Sequence, residues 1–497
     1  FLIFTMIFTF IPYGSINGQE DFNQNEYIVL LDELIEAETR YGLSGVQLAI
    51  YKDGDLIKSD SYGYTNNYRN VYDNGEIVLG KHEILPVEER IPVNEDTLFD
   101  LASNTKIYAT VYAVQKLASE GKISLDTKIG DVLPDFLLYA NDNGWKDDLD
   151  VKTVLSHMSG FIPSPKYHDE NYDEVDQIKN GKNDLYAQDR ETVYEMVMKT
   201  PIITEPNTEW QYSDVDLMLV GFMVEKLTGQ RLDEYLKENI YGPLGLDKIT
   251  FIPLENGFNT NEIASTELNG NTRDGRVEFN NIRKDILTGT VHDEKAYYSF
   301  EGVAGHAGLF SNARDLAYLA QAMIFDGELN GIKLFTPEVI EEFTQPVSLR
   351  TQTTGGFRRK SEDGGASIWF SKFAPPGTIG HTGWTGTLTL IDKENMLTMS
   401  LNTNARNSPI MGPGKNDFYT KRSNISSYGL VSELVYRGLG LGEDEIESAD
   451  ELLINLLEEK INKHREESDP SLRNVIRSML EVVESRKDNS KILNDYY

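Results

Sequence analysis

Apolar residues recur with a helical period through most of this chain and with a strand period near its two ends. Tyr27 to Tyr41 places Ile28, Leu31, Leu34 and Ile35 on one side and is followed by Gly42, which predicts an amphipathic helix. Val46–Tyr51 and Leu56–Tyr62 flank Asp53-Gly54, a strong short-range hairpin signal. A second hairpin is predicted late, where Thr385–Ile391 and Met396–Leu401 flank Asp392 to Asn395. Between them lie helical runs at Val151–Ser156, Glu191–Lys199, Val215–Leu227 and Ser311–Ala322. Gly229 closes the third, and Ser311 or Asn312 caps the fourth. Asn66 to Pro92 is polar and irregular and reads as a surface excursion. Strands at both ends with helices between predict a split α/β domain carrying an inserted helical domain.

The last stretch differs. Glu443 to Tyr497 predicts two amphipathic helices, around Ala449–His464 and from Pro470 to about Glu484. Asp469 would cap the second, with Pro470 at its first position. Leu472, Val475, Ile476, Met479 and Val483 form an apolar face, which either packs on the main body or serves as a partner or dimer surface. Gly438 to Gly442 carries three glycines but follows a helical pattern instead of a strand, so it reads as a hinge and not as a nucleotide loop.

At the other end, Phe1 to Pro12 is almost wholly apolar and Tyr13 to Asn25 is polar. The apolar run is short of the ~20 residues that span a bilayer and matches a signal-peptide core. The basic segment and initiator Met of such a peptide are missing, and no clear small-x-small cleavage site follows. Residues 1–25 are therefore expected to be a truncated signal peptide or an uncleaved anchor, with membrane association through the N-terminus in the second case. The alternative is a buried strand or helix. Residues 26–440 would form the main domain and residues 441–497 a helical extension. The expected location is the periplasm, cell surface or extracellular space.

Charge and composition narrow the classes of partner. Net charge is -33, from 47 basic and 80 acidic residues. That argues against nucleic acid, whose binding needs basic surface. The chain has no cysteine, which excludes disulfides, thiol catalysis and cysteine metal sites. Its seven histidines form no His-Glu-x-x-His pattern, and no structural metal is inferred.

The candidate chemistry starts at Ser103-Asn104-Thr105-Lys106. Ile107, Val111, Val114 and Leu117 give Thr105 to Glu120 a helical face, and Gly121 ends it. Ser103 thus sits at a helix N-terminus, with Lys106 one turn on and on the same face. A serine hydroxyl needs a neighbouring base, and an amine can serve if burial lowers its pKa. Ser119-Glu120-Gly121-Lys122 has the same spacing but straddles the helix end, so spacing alone is weak evidence. Two other segments supply partners. In Tyr212-Ser213-Asp214, before a predicted helix, the tyrosine hydroxyl could relay a proton. In His381-Thr382-Gly383, before a predicted strand, the glycine lets substrate approach. The N–H of Trp384 could then join that of Ser103 in an oxyanion hole.

This constellation resembles the serine penicillin-binding proteins and class C β-lactamases, with their Ser-x-x-Lys, Tyr-x-Asn and Lys-Thr-Gly boxes. Val154 to Gly160 is similar to that family's Leu-Ser-His-x-Ser-Gly stretch, and Gly302 to Ser311 to its glycine-rich entry to a late helix. Ala264 to Gly275, Val291 to Ala296 and Gly380 to Gly386 look closest to the penicillin-binding protein 4B branch. The likeness runs from about Glu26 to Gly438.

The resemblance implies an α/β (α+β) fold of the β-lactamase/transpeptidase type, an antiparallel sheet flanked by helices with an inserted all-helical subdomain and the site in the cleft between. It implies Ser103 as acyl-enzyme nucleophile, Lys106 and Tyr212 as proton carriers, and Asp214, His381, Thr382, Gly383 and Trp384 as substrate-binding residues. No metal or organic cofactor is implied. The expected activity is that of a D-alanyl-D-alanine carboxypeptidase, with peptidoglycan stem peptides or β-lactams as partners. An esterase, a β-lactamase and a weakly catalytic module that binds wall peptides are the alternatives.

Two residues depart from the family pattern. Asp214 replaces an Asn; a carboxylate cannot donate to a substrate carbonyl and would hold Lys106 protonated. His381 replaces the box lysine and, if it titrates near the ~6.5 of free histidine, would make activity on carboxylate substrates depend on pH between about 6 and 7.

Overall fold

The period-two runs from the two ends of the chain meet in one antiparallel sheet. A computed structural model describes residues 18–139, 143–174, 179–346, 353–442 and 447–487. Its main sheet orders seven strands as Thr353–Thr354, Phe357–Arg359, Ile379–Gly383, Thr387–Asp392, Leu397–Thr403, Gly45–Lys52 and Asp55–Gly63. The first predicted hairpin thus sits against the last: Val46 lies opposite Thr403, and Lys52 opposite Leu397. Asp53 and Gly54 take φ +54 and +94, the positive values that a tight two-residue hairpin turn demands.

Alternation along Gly45–Lys52 puts a helix layer on each face of the sheet. Val46, Leu48 and Ile50 join a core with Leu388, Leu390, Met399 and Leu401 and with Ile28, Leu31, Leu34 and Ile35 of the helix Glu26–Arg40. Ala49 points the other way and packs on Ala313 and Ala317 of the helix Ala313–Ala320, whose cap is Asn312. The predicted helices Val151–Leu155, Arg190–Lys199 and Asp214–Thr228 share a second core with the segment 106–119.

Three sequence expectations change here. The irregular excursion contains a hairpin of its own, Tyr68–Asp73 with Glu76–Ile84. Its buried positions include Asn70, so polarity hid the alternation. Asp274 faces His82 Nε2 at 3.0 Å, and Asn269 Oδ1 accepts the Gly80 N–H at 2.8 Å, which ties the hairpin to the body. The helix after Ser103 is also not uniform: a 3₁₀ turn spans Ala102–Asn104, a π-helical stretch Lys106–Val111, and α-helix resumes at Tyr112–Ser119. Gly438 to Gly442 forms a tight turn, with Gly440 at φ +70 and the Leu441 N–H bonded to the Tyr436 carbonyl at 2.9 Å.

The C-terminal helices, Ala449–Glu467 and Pro470–Arg486, turn their apolar faces onto the main body. Leu453, Val475, Met479 and Val483 are buried in the same core as the helix Glu26–Arg40. Arg486 pairs with Glu33 and with Asp450 at 2.6 Å each. Ser448 and Asp469 cap the two helices. The expected signal peptide or anchor lies outside the described residues as far as residue 17; Gly18–Asn23 is a short helix with Phe22 buried. Among the described residues no helix is long and apolar enough to cross a membrane.

Leu453→Ala empties a fully buried site where first and last helices meet. It should lower the unfolding free energy by about 2–5 kcal/mol in denaturant titration. A separate early transition, with the main one unchanged, would show that the extension folds apart from the sheet.

Candidate functional site

Ser103 stands at the bend where the short strand Phe99–Asp100 turns into a helix. Just before it, Ala102 takes φ +44, an uncommon conformation for a residue with a Cβ and one that clusters at functional sites. Asp100 holds the bend. Its Oδ1 accepts the Ala102 N–H at 2.8 Å and its Oδ2 the His292 N–H at 2.6 Å. Its carbonyl accepts the Thr385 hydroxyl at 2.6 Å. Burial pushes the Asp100 carboxyl up, and the two N–H bonds oppose that rise. Ser103 is left half-buried while Asn104, Thr105 and Lys106 are buried.

Lys106 Nζ lies 3.1 Å from Ser103 Oγ, 2.9 Å from Asp214 Oδ1 and 3.0 Å from the His306 carbonyl. Those are acceptors for all three N–H bonds of an ammonium. Burial alone would drive the proton off, but the carboxylate of Asp214 and the neighbouring Tyr212 outweigh it, and the pKa ends above the ordinary lysine value. The other Ser-x-x-Lys pair has no such setting. Ser119 Oγ donates to the Gln115 carbonyl at 2.8 Å, and Lys122 is exposed and paired with Glu120.

Tyr212 and Asp214 come from the loop that starts the helix Asp214–Thr228. Ser213 caps that helix and donates to the Ile162 carbonyl at 2.7 Å. The Tyr212 ring centroid lies 5.0 Å from Lys106 Nζ. His157 packs against the same ring at 4.5 Å and is itself held by Asp216, 2.8 Å from its Nδ1.

Sequence reasoning missed what lies on the far side of Asp214. Lys295 Nζ sits 3.3 Å from Asp214 Oδ2, 2.9 Å from Asp293 Oδ2 and 3.1 Å from Ser164 Oγ. Asp293 Oδ1 in turn faces His306 Nε2 at 3.1 Å. Burial would raise the Asp214 carboxyl, but Lys106 and Lys295 together hold it well below the usual carboxylate range. Burial likewise opposes the charge on Lys295, which Asp293 and Asp214 hold well above the ordinary lysine value. Asp214, Asp293 and His306 offer ligand atoms within 4.8 Å of one another, yet the Lys295 ammonium stands between the two carboxylates and supplies the balancing charge. The available signal was chemical: an acid standing where an amide is expected calls for another cation.

The strand Ile379–Gly383 forms the opposite wall. A Cβ at Gly383 would fall 2.4 Å from the Leu101 carbonyl oxygen, so glycine is what lets this strand lie against the Ser103 bend. Thr387 donates to that carbonyl at 3.0 Å and accepts from Asn104 Nδ2 at 2.8 Å. Thr382 is half-buried, and Trp384 is exposed at the mouth with Arg406 4.1 Å above its ring.

His381 differs from expectation. Its ring is buried, with Nδ1 2.8 Å from the Thr382 carbonyl. A carbonyl only accepts, so Nδ1 carries the proton and Nε2 is left as an acceptor. Burial, with help from Arg358 and Lys106, holds its pKa well below that of free histidine. Its titration is therefore displaced below the range of pH 6 to 7 expected from the sequence. The cation beside this strand is Arg358, paired across the sheet with Gly380. Its guanidinium lies 5.6 Å from the Tyr212 ring and 4.3 Å from that of Trp369. Among the described residues it forms no ion pair, and its buried Nε has no hydrogen-bond partner.

Comparison with known proteins places the chain in a family. A family model described as Beta-lactamase matches residues 31–419. A protein of Escherichia coli strain K12 named "Putative D-alanyl-D-alanine carboxypeptidase" is 40% identical over 413 residues, 82% of this chain and 90% of that protein. A Salmonella agona protein of the same name is 38% identical over 412 residues, covering 82% and 90%. Among solved structures, a penicillin-binding protein homologue from Caulobacter crescentus superposes with TM-score 0.55 at 18% identity, over 83% of this chain and 97% of that one. EstCE1, a hydrolase with promiscuous acyltransferase activity, gives TM-score 0.58 at 17% identity, over 83% and 98%.

The His381 ring should show no titration between pH 5.5 and 8 in NMR of histidine-labelled protein, with its signal assigned by His381→Gln. Because burial holds the His381 pKa down in the folded protein while the unfolded chain takes up its proton near the ~6.5 of free histidine, it should also make stability fall as pH drops below about 6.5. A midpoint near 6.5 in the folded protein would overturn both statements.

Proposed function

This chain belongs to the β-lactamase family and is a serine hydrolase; on that premise we propose that it is a D-alanyl-D-alanine carboxypeptidase acting on cell-wall stem peptides. The observation that carries the reading is the contact of a buried lysine with a half-buried serine, Lys106 Nζ to Ser103 Oγ, at a strained bend. Ser103 Oγ attacks the carbonyl carbon of the penultimate D-alanine. Its proton passes to the Lys106–Tyr212 pair, which must first have given up one of its own protons to solvent. The N–H groups of Ser103 and Trp384 receive the oxyanion. As the tetrahedral intermediate collapses, the same pair returns a proton to the departing amine. Water then releases the acyl group by the reverse route.

Substrate class follows from charge. The peptide ends in a carboxylate, and Arg358 is a guanidinium with free donor capacity among the described residues, beside Tyr212. Thr382 adds a hydroxyl, and the strand beyond Gly380, past its pairing with Phe357–Arg359, gives the peptide an edge to lie along. His381, uncharged and bonded to the Thr382 carbonyl, sets the orientation of that residue instead of gripping the carboxylate itself. A substrate outside the cytoplasmic membrane requires export of the chain, which fits the apolar run at Phe1 to Pro12.

Incubation with a penicillin should add one acyl group at Ser103, read by mass spectrometry, and Ser103→Ala should abolish it. That variant should lose D-alanine release by about 10³-fold or more. No adduct, with hydrolysis unchanged in the variant, would remove Ser103 as nucleophile; fast ester turnover without D-alanine release would point to an esterase. Arg358→Ala should lower kcat/KM on a D-Ala-D-Ala peptide by about 10–100-fold while changing that on a neutral nitrophenyl ester far less.

A further inference from the structure

We propose that Lys295 is a positioning residue of this site, which shares the Asp214 carboxylate with Lys106 and so loosens the hold of that carboxylate on the Lys106 proton. The inference rests on the assignment of Ser103 and Lys106 above. A carboxylate shared between two ammoniums holds each proton less firmly than one that faces a single ammonium. Asp214 divides its two oxygens, Oδ1 to Lys106 at 2.9 Å and Oδ2 to Lys295 at 3.3 Å. Lys295 is no mobile surface charge: its side chain is 6% exposed and is held by Asp293 and Ser164. The contacts close on themselves. Asp293 binds the His306 ring, and the His306 carbonyl takes the third N–H of Lys106. The loop holds two ammoniums against two carboxylates, so an Asp in place of an Asn leaves the charge around Ser103 balanced.

The other charged and titratable groups facing Lys106 are Ser103 on its own helix, Tyr212 on the loop before the next helix, His306 on the glycine-rich turn, and His381 with Arg358 on the sheet. All remain in the variants that test the idea. Carbon-13 labelling of lysine Cε follows the Lys106 titration by NMR, with the signal assigned from a Lys106→Gln control. In Asp214→Asn the charge of Lys295 is left unbalanced toward Lys106, and the Lys106 midpoint should fall below wild type by about one unit or more. In Asp214→Asn with Lys295→Met it should recover most of that shift.

Equal midpoints in the single and double variants overturn the proposal. Lys295→Met alone should move the pH limb of Ser103 acylation by a fluorescent penicillin upward by about one unit, and Lys295→Arg should leave the limb where it is. A merely structural lysine would lower the rate at every pH without moving the limb, and that result also overturns the proposal. If Lys295→Met does not fold, the double variant removes the buried pair as a unit and decides the matter. Failure of the wild type to acylate would defeat the functional reading, whereas the Lys106 midpoint still reads the linkage to Lys295.

Discussion

A buried ammonium needs acceptors in every direction, because an unpaired charge away from water is strongly unfavourable. Lys106 finds its acceptors on three separate chain segments, and their meeting organises the site. The glycine-rich turn shows how tight that meeting is. A Cβ on Gly305 would fall 2.0 Å from the Leu217 carbonyl oxygen of the helix Asp214–Thr228, and the Gly305 carbonyl accepts the Thr110 hydroxyl at 2.6 Å. Backbone therefore packs on backbone, and the next residue, His306, brings its carbonyl to Lys106. Glycine at this point is a condition for closing the charge cluster.

The two walls of the cleft treat charge differently. On the helical side every charge near Ser103 has a partner, and Asp214, Lys295 and Asp293 sit in a fixed pattern. On the sheet side His381 is held below the ordinary histidine pKa and Arg358 has capacity to spare among the described residues. The balanced side suits proton movement, which needs a stable local field. The unbalanced side suits recognition of an anion arriving from solvent. One strand, Ile379–Gly383, joins them, since it carries His381 and lies between Phe357–Arg359 and Thr387–Asp392.

What the sequence revealed followed the length scale of each signal. The hairpins around Asp53-Gly54 and Asp392–Asn395, the helix capped at Ser213 and the Pro470 helix start are local, and their residues announce them. Ser103, Lys106, Tyr212, Asp214 and His381 were singled out by type and order, and the structure brings their segments into contact. Lys295 and Arg358 escaped because what sets them apart is which groups surround them, and spacing in the chain does not report that. The burial of His381 was not legible for the same reason, since it depends on the neighbouring strand and on Tyr212. The π-helical stretch after Ser103 left no mark in the apolar pattern, because Lys106–Val111 is buried on every side.

The position of the strand Gly45–Lys52 has a consequence for how such a chain comes into being. It is made early, yet it lies between Asp55–Gly63 and Leu397–Thr403, and the helix before it is covered by helices that end near residue 486. Its neighbours on one side do not exist until most of the polypeptide has been synthesised. The nascent chain can build its first hairpin but cannot complete the sheet around it until Leu397–Thr403 has been made. The early hairpin also waits with an open edge, the kind of surface on which folding helpers act.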